Sequence, residues 1–490
     1  MLKRIGWGLL ALLALVALAL AVNTFRLSSR QLQVAAIAPL AVDEQAAAES
    51  LAVAIRARTI SSPTEPELNA DQFAALQAHL LARYPKLHAT LKREVIGGLS
   101  LLYTWPGSDP SLKPIALMAH QDVVPIAPGT EGDWQAEPFS GAIKDGFVWG
   151  RGAWDDKSNL IAQFEAIEAL AASGFQPKRT VYLISGADEE VGGLRGAKVI
   201  AEQFAKQGIQ LDFVIDEGLL ITLGIMPGLK PPAALVGVAE KGFASFKLLA
   251  KAPPGHSSMP PATGLSAIGQ LSLALSKLDA APLPASVSGV AAEMFDTVGP
   301  EMGGFSRVAL GNRWLFGSIL QGQLEKAPGT NAMLRTTTAL TVVNAGNKDN
   351  VLPGRAEAIV HFRLLPGDSI AGVKAHVQKT IANDQIELSV MPGESEPSRV
   401  ASTASTGYLA INRTVRELFP DTIVAPGLML GGTDARHFEP VADQVFRFSP
   451  VKAASEDLSR FHGTNERMAS ANLVDLIRFY HRLVQQSAGQ

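Results

Sequence analysis

The sequence predicts an α/β fold, a doubly wound mixed sheet interrupted by a smaller α+β unit. Three observations carry that expectation. Short apolar runs at residues 115–119, 181–185 and 212–216 end in polar residues or glycine, as buried parallel strands do. Between the first two, Leu160, Ile161, Phe164, Ile167 and Leu170 recur at spacings of three and four, which makes a helix with one apolar face. From about residue 236 the runs alternate instead, at 244–250, 336–343 and 356–364, a pattern that suits an antiparallel sheet. Alternating βα units place a ligand crevice at the carboxyl ends of the parallel strands.

The elements follow in order along the 490 residues. Lys3 and Arg4 precede an apolar run from Ile5 to Val22, short but sufficient for a membrane-crossing helix. It reads as a signal anchor or, because Ala19-Leu20-Ala21 has the small-residue spacing of a cleavage site, as a signal peptide. Residues 1–30 are therefore set apart from the fold, and the rest is expected on the far side of a membrane, anchored or secreted. A polar, alanine-rich stretch runs to about residue 65. A first part of the larger domain is expected over 40–235, an inserted smaller domain over 236–368 with a helix at 265–278, and a second part of the larger domain over 369–490. Helices at 370–381 and 473–484 and strands at 386–390 and 444–448 fill the last third. The stretch 281–327, rich in Gly, Pro and Met and without a clear period, reads as an irregular insertion.

Composition narrows the chemistry. Lys+Arg 43 against Asp+Glu 46 leaves a formal charge of −3, with no basic excess to point to nucleic acid. The absence of cysteine removes thiol nucleophiles, disulfides and sulfur-ligated metals, so any metal must be held by carboxylates and the nine histidines.

Five segments place such residues at or just after strand ends. His120 and Asp122, two apart on a strand-like segment, point the same way, so the carboxylate can buttress the imidazole or share a metal with it. Asp155 and Asp156 stand at a helix start, where they serve equally well as caps. Asp188, Glu189 and Glu190 leave an apolar strand as three consecutive acids whose mutual repulsion a cation would relieve. Asp216 and Glu217 end the next strand, and His462 lies in Phe461-His462-Gly463-Thr464-Asn465-Glu466. Together they supply the nitrogen and oxygen ligands of a two-metal site with carboxylate to spare for proton transfer.

The strings HQDVVP (120–125), GRGAWDDK (150–157), ADEEVGG (187–193) and DEG (216–218) resemble the signature of the dinuclear zinc metallopeptidases that include aminoacylase and glutamate carboxypeptidase. GSDPSL (107–112), PFSG (138–141), AEKG (239–242), GHSS (255–258), TNAMLRTTTAL (330–340), NVLP (350–353), GGTDAR (431–436) and FHGTNE (461–466) bring the likeness closest to the branch of carboxypeptidase S and the N-fatty-acyl-amino-acid synthase/hydrolases. The resemblance implies that 40–235 and 369–490 form a zinc-exopeptidase-like catalytic domain, interrupted at 236–368 by a smaller lid or dimerisation domain. It implies His120 and His462 as imidazole ligands of two Zn2+ ions, Asp155 as their bridge followed by a cis peptide, and Glu190 and Glu217 as further ligands, with Asp216 the alternate to Glu217. Cobalt or manganese would suit the same donors.

By the same resemblance Glu189 is the general base, Asp122 holds the His120 tautomer, and His256 stabilises an oxyanion, often across a dimer. Asn331 and Arg363 fall where substrate-facing polar groups lie, Arg363 suited to clamp a carboxylate. His79, His88, His361, His376, His437 and His481 read as ordinary. The implied activity is hydrolysis of an amide joining an acyl group to an amino acid with a free carboxylate, reversible toward synthesis. A carboxypeptidase or dipeptidase acting on short peptides is the alternative, and a catalytically inactive metal- or peptide-binding relative a third reading. Homodimerisation, typical of many relatives, stays open.

Overall fold

The computed structural model describes residues 2–489. Its largest sheet has eight strands in the spatial order Lys92–Ile96, Ser100–Trp105, Val181–Ser185, Ile115–Met118, Leu211–Thr222, Ala442–Ala453, Ala233–Glu240 and Ile423–Met429. Strand 115–118 runs parallel to both 181–185 and 211–222, and 211–222 parallel to 442–453, whereas 92–96 and 100–105 form an antiparallel edge. Alternate residues of 115–118 serve different cores. Ile115 and Leu117 pack under helices Glu44–Arg56, Lys157–Ala172, Thr406–Leu418 and Ser470–Ala488. Ala116 and Met118 pack under helix Ala197–Gln207 and the turn Asp434–Val441. Burial on both faces explains why these strands read as unbroken apolar runs.

Helix 44–56 lies in the stretch that reads only as polar and alanine-rich. Asp43 caps it by accepting the Ala46 N–H, and its small side chains Ala47 and Ala54, with Leu51 and Ile55, fit it closely against the core.

A second sheet, antiparallel throughout, has the order Thr337–Asn344, Arg355–Leu364, Gly242–Lys251, Ile386–Val390. Helices Ala267–Ala280 and Ile370–Ile381 cover one face, burying Leu271, Leu278, Val373 and Val377 on Phe246, Val360 and Phe362. Residues 370–390 thus supply a helix and an edge strand to this smaller sheet, and the return to the larger sheet comes after Val390 rather than at 369.

The stretch 281–327 is not irregular. It forms helices Gly289–Val298, Gly304–Gly311 and Arg313–Leu324, followed by Pro328–Leu334. Gly289, Gly304 and Pro328 each open a short helix instead of breaking a longer one. Met294, Phe295 and Val298 bury against Ile423 and Ala425 at the edge of the large sheet.

Leu2–Arg26 is one helix, long and apolar enough to cross a membrane, with Leu9, Leu10, Leu12, Leu13, Leu15 and Leu18 exposed. Residues that follow the apolar run, expected to stand apart, are fastened to the body. Asn23 donates to Asn312, and Gln31 exchanges hydrogen bonds with both backbone groups of Val424 on the edge strand.

Candidate functional site

The carboxyl ends of strands 115–118, 181–185 and 211–222 converge on one acidic pocket. Beyond Met118 the chain is held on both sides: Gln121 N–H donates to Gly186 O, its side chain donates to Leu99 O and Ser185 O, and Val123 N–H donates to Thr59 O. His120 is thereby fixed with Nδ1 3.0 Å from the Asp122 carbonyl oxygen and 3.3 Å from the Asp122 carboxylate. Its Nε2 faces Asp155 Oδ1 at 3.0 Å and Glu217 Oε1 at 3.4 Å. Asp122 also accepts the N–H groups of Glu189 and Glu190 and the Ser61 hydroxyl, so one buried carboxylate orients the imidazole and the 189–190 turn together.

Asp155 is shared. Its Oδ2 lies 2.7 Å from His462 Nε2, which is also 3.4 Å from Glu190 Oε2. Two imidazole–carboxylate groups, His120 with Glu217 and His462 with Glu190, therefore meet at one aspartate. The peptide bond from Asp155 to Asp156 is cis. Asp156 accepts the His120 N–H at 3.2 Å and the Asn159 amide, and so braces the start of helix 157–172. His462, in left-handed backbone with φ +58°, has the Phe461 ring stacked on it at 4.9 Å.

Two expected candidates differ in orientation from their neighbours. Asp216 gives its oxygens to the N–H groups of Glu217 and Ala435, so as the alternate ligand it is already engaged, while Glu217 faces His120. Asp188 accepts the N–H groups of Arg195 and Gly196 and turns out of the cluster.

Electrostatics follow from burial. Desolvation holds the carboxyls of Glu189 and Glu217 well above the usual range, and neighbouring acids add to it. Glu190 is raised by the same cause, against hydrogen bonding from His462. Burial would raise Asp155 too, but hydrogen bonds from His120 and His462 outweigh it and hold that carboxyl low. His462 is pushed up to about 10 by hydrogen bonds to Asp155 and Glu190. Burial opposes the charge on His120, yet Asp122, Asp155 and Glu217 keep its pKa well above the ordinary value.

Several buried carboxylates gathered around two imidazoles fit a cation site. His120, Asp155 and Glu190, and likewise His120, Asp156 and Glu217, each offer donor atoms within 4.8 Å of one another. Glu189 stands beside His120, Glu190 and Glu217 with its N–H donated to Asp122, and among the described residues its carboxylate accepts no hydrogen bond.

His256, Asn331 and Arg363 make no hydrogen bond or ion pair with this cluster. His256 is exposed where 255–256 pairs with 351–352, and bonds Ser258 at 2.8 Å. Asn331, on helix 328–334, buries an Oδ1 without a partner. Arg363 packs its guanidinium 5.3 Å over Phe243.

Two further residues belong to the site. Glu466 is buried, accepts the N–H groups of Trp154 and Asp155 at 2.9 and 3.1 Å, and pairs with Arg151 at 2.5 Å, tying the His462 loop to the Asp155 loop. Asp434 is buried with neither carboxylate oxygen hydrogen-bonded, and its carboxyl is held well above the usual range by burial. Their strings FHGTNE and GGTDAR carried the signal. His437, beside Asp434, stands 3.0 Å from Gly192 O, and burial with Arg436 lowers it to about 4.

Residues 116–486 match the model of Peptidase family M20/M25/M40. The chain is 40% identical over 482 residues to probable carboxypeptidase S-like 2 of Dictyostelium discoideum, covering 96% of this chain and 92% of that one. It is 40% identical over 443 residues to N-fatty-acyl-amino acid synthase/hydrolase PM20D1 of Xenopus tropicalis, covering 90% and 85%. Among solved structures, the fold is similar to the M20 family metallo-carboxypeptidase Sso-CP2 of Sulfolobus solfataricus, with TM-score 0.66 and 18% identity over 91% of this chain and 99% of that one. Human carnosine dipeptidase 1 matches with TM-score 0.62 and 17% identity, covering 92% and 100%.

Proposed function

The chain belongs to peptidase family M20/M25/M40, and from that premise we propose that it is a metal-dependent hydrolase of the amide bond between an acyl group and an amino acid with a free carboxylate. The observation that carries the reading is the pair of imidazole–carboxylate groups meeting at Asp155, with the unbonded carboxylate of Glu189 alongside. His120, Asp155 and Glu217 would hold one ion, and His462, Asp155 and Glu190 the second. Bound zinc, or cobalt or manganese, would polarise the scissile carbonyl and acidify water.

The chain's own residues do the rest. Asp122 holds His120 by its Nδ1 side and leaves Nε2 directed into the pocket. Glu189, held well above the usual carboxylate range by burial, removes a proton from the attacking water and returns it to the departing nitrogen. His256 steadies the oxyanion and Arg363 clamps the substrate carboxylate once the smaller sheet closes on the pocket or a partner copy supplies the imidazole. Asn331 offers its unpaired Oδ1 to the substrate. On this reading the apolar helix is a signal anchor or signal sequence, and the catalytic body works outside the cytoplasm, tethered or released.

Fatty-acyl amino acids are the preferred substrates on this reading, in line with relatives named N-fatty-acyl-amino acid synthase/hydrolase; condensation is the same reaction reversed. Relatives named carboxypeptidase S-like favour short peptides as the second reading. An inactive relative would be expected to lack Glu189 or a ligand, and His120, Asp122, Asp155, Glu189, Glu190, Glu217 and His462 are all present.

The test sets N-oleoyl-phenylalanine beside Gly-Leu with purified protein, with and without chelator. Chelator-sensitive release of phenylalanine is expected; cleavage of Gly-Leu alone would transfer the assignment to the second reading. Glu189→Gln should abolish turnover with metal content intact, and substantial residual activity would remove Glu189 from the base role.

A further inference from the structure

Helix Arg313–Leu324 is amphipathic the wrong way round for a soluble surface. Two of its polar side chains are tied to the body: Arg313 pairs with Asp296 at 2.5 Å, and Gln321 donates to Ala285 O at 3.1 Å. Leu324 packs inward, but Trp314, Leu315 and Ile319 face outward at 60%, 43% and 62% exposure, and none of the helix's residues is fully buried. The preceding helix, Gly304–Gly311, adds Phe305, 67% exposed and edge-on to Phe316 at 5.3 Å. Such a contiguous outward apolar face on a helical hairpin marks an interaction surface, because isolated apolar residues are normal but clusters are not.

What covers it follows from the element it touches. Between these helices, fully buried Asn312 donates to Leu20 O and Thr24 Oγ1 at 3.2 Å and accepts from Asn23 at 3.0 Å and from the Trp314 indole at 3.2 Å. Arg307 donates to Leu27 O at 2.9 Å. The hairpin is therefore bonded to the last turns of the apolar helix Leu2–Arg26, just where the apolar run ends at Val22 and the chain meets polar sequence. If that helix crosses a bilayer, the hairpin sits at the bilayer surface, with a tryptophan at the depth where aromatic residues concentrate.

We propose that the 304–324 hairpin lies in the headgroup–acyl boundary of the membrane that the N-terminal helix spans, with Phe305, Trp314, Leu315 and Ile319 immersed. This rests on the reading of residues 2–26 as an uncleaved anchor. Two attachments of different kinds, a spanning helix and an interfacial hairpin, fix the orientation of the body on the membrane.

The cysteine-free chain makes the test clean, since a single introduced thiol is unique. Full-length protein bearing Phe305→Cys, Ile319→Cys, Leu13→Cys or Val400→Cys, each an exposed position, is spin-labelled and reconstituted into vesicles of phosphatidylcholine and phosphatidylglycerol. Accessibility to oxygen and to a water-soluble nickel chelate is then read at each site. Labels at 305 and 319 should lose nickel accessibility as the label at 13 does, while the label at 400 stays in water. Immersion at 13 with labels at 305 and 319 as nickel-accessible as the one at 400 overturns the hairpin proposal and leaves the anchor standing. A water-exposed label at 13, with protein that fails to float with the vesicles, overturns the anchor and the proposal with it.

Discussion

Replacing Glu466 by alanine should cost about 4 kcal/mol of stability and detach His462 from Asp155. The side chain has no exposure and serves three donors: Arg151 at 2.5 Å through Oε2, and the Trp154 and Asp155 N–H groups through Oε1. Arg151 is itself buried and also donates to His462 O at 3.0 Å. Removing one partner of a buried ion pair strands the other charge at a cost of about 3–5 kcal/mol. The two amides would add about 1–3 kcal/mol each if left unserved. A water taken into the vacated space can serve them, so the pair sets the scale. Glu466→Gln keeps the acceptor for the amides but turns an amide toward the guanidinium, and should lose nearly as much. Adding Arg151→Met to Glu466→Gln removes the stranded charge and should recover most of the loss. The measurement is denaturant unfolding of chelator-treated protein, which keeps metal linkage out of the comparison, with zinc content determined separately on the untreated variants. A loss below about 1 kcal/mol, the worth of an exposed pair, together with unchanged zinc content, would refute the clamp.

His120→Ala and His462→Ala should each lower bound zinc, and two full ions by elemental analysis in either variant would refute the ligand assignment. Metal uptake should strengthen as pH rises, because His120 and His462, the latter raised to about 10 by Asp155 and Glu190, are protonated near neutrality in metal-free protein and must release protons. Calorimetry in buffers of different ionisation enthalpy counts those protons, and an uptake independent of pH would contradict the geometry. Lys157 is fully buried against the carbonyls of Ala54 and Ala57 and lowered by desolvation to about 7 from 10.5. The unfolded chain binds the extra proton between those values, so wild-type stability should rise relative to Lys157→Met from about pH 7 to 10.5, by at most about 1.4 kcal/mol per unit. Parallel stability–pH curves for the two proteins would refute it.

The large sheet was legible because its central strands are buried on both faces and so appear as unbroken apolar runs, with acids beginning where the strands end. That rule failed at Asp216. The acids there read as a terminus, yet the strand continues to Thr222. Gly218, at φ +149°, lets the backbone pass so close to Arg447 that a Cβ would lie 2.6 Å from the arginine's own, and the register against 442–453 shifts at this point. A bulge of this kind re-aims a side chain without ending the strand. It explains why sequence left Asp216 and Glu217 as alternates: pleat alternation says that they part, but not which of them the bulge directs at His120.

The outer parts of the site were obscured for a different reason. Glu466 and Asp434 act over long sequence separations, Glu466 on Arg151 and Asp155, and Asp434 against Gly186 and Gly193, where an added Cβ would collide with its carboxylate. Their surroundings are made only when distant loops meet, so no local periodicity announces them. The 304–324 hairpin misled in the opposite sense. Its glycines, prolines and lack of a clear period read as an irregular insertion, because a helical period is recognised by an apolar face that turns inward. Polar tethers at Arg313 and Gln321 on the inner side, and Trp314 and Ile319 on the outer, invert that arrangement. Inversion is expected where the outer solvent is hydrocarbon, and so the segment that sequence periodicity described worst has the most specific reading in the folded chain.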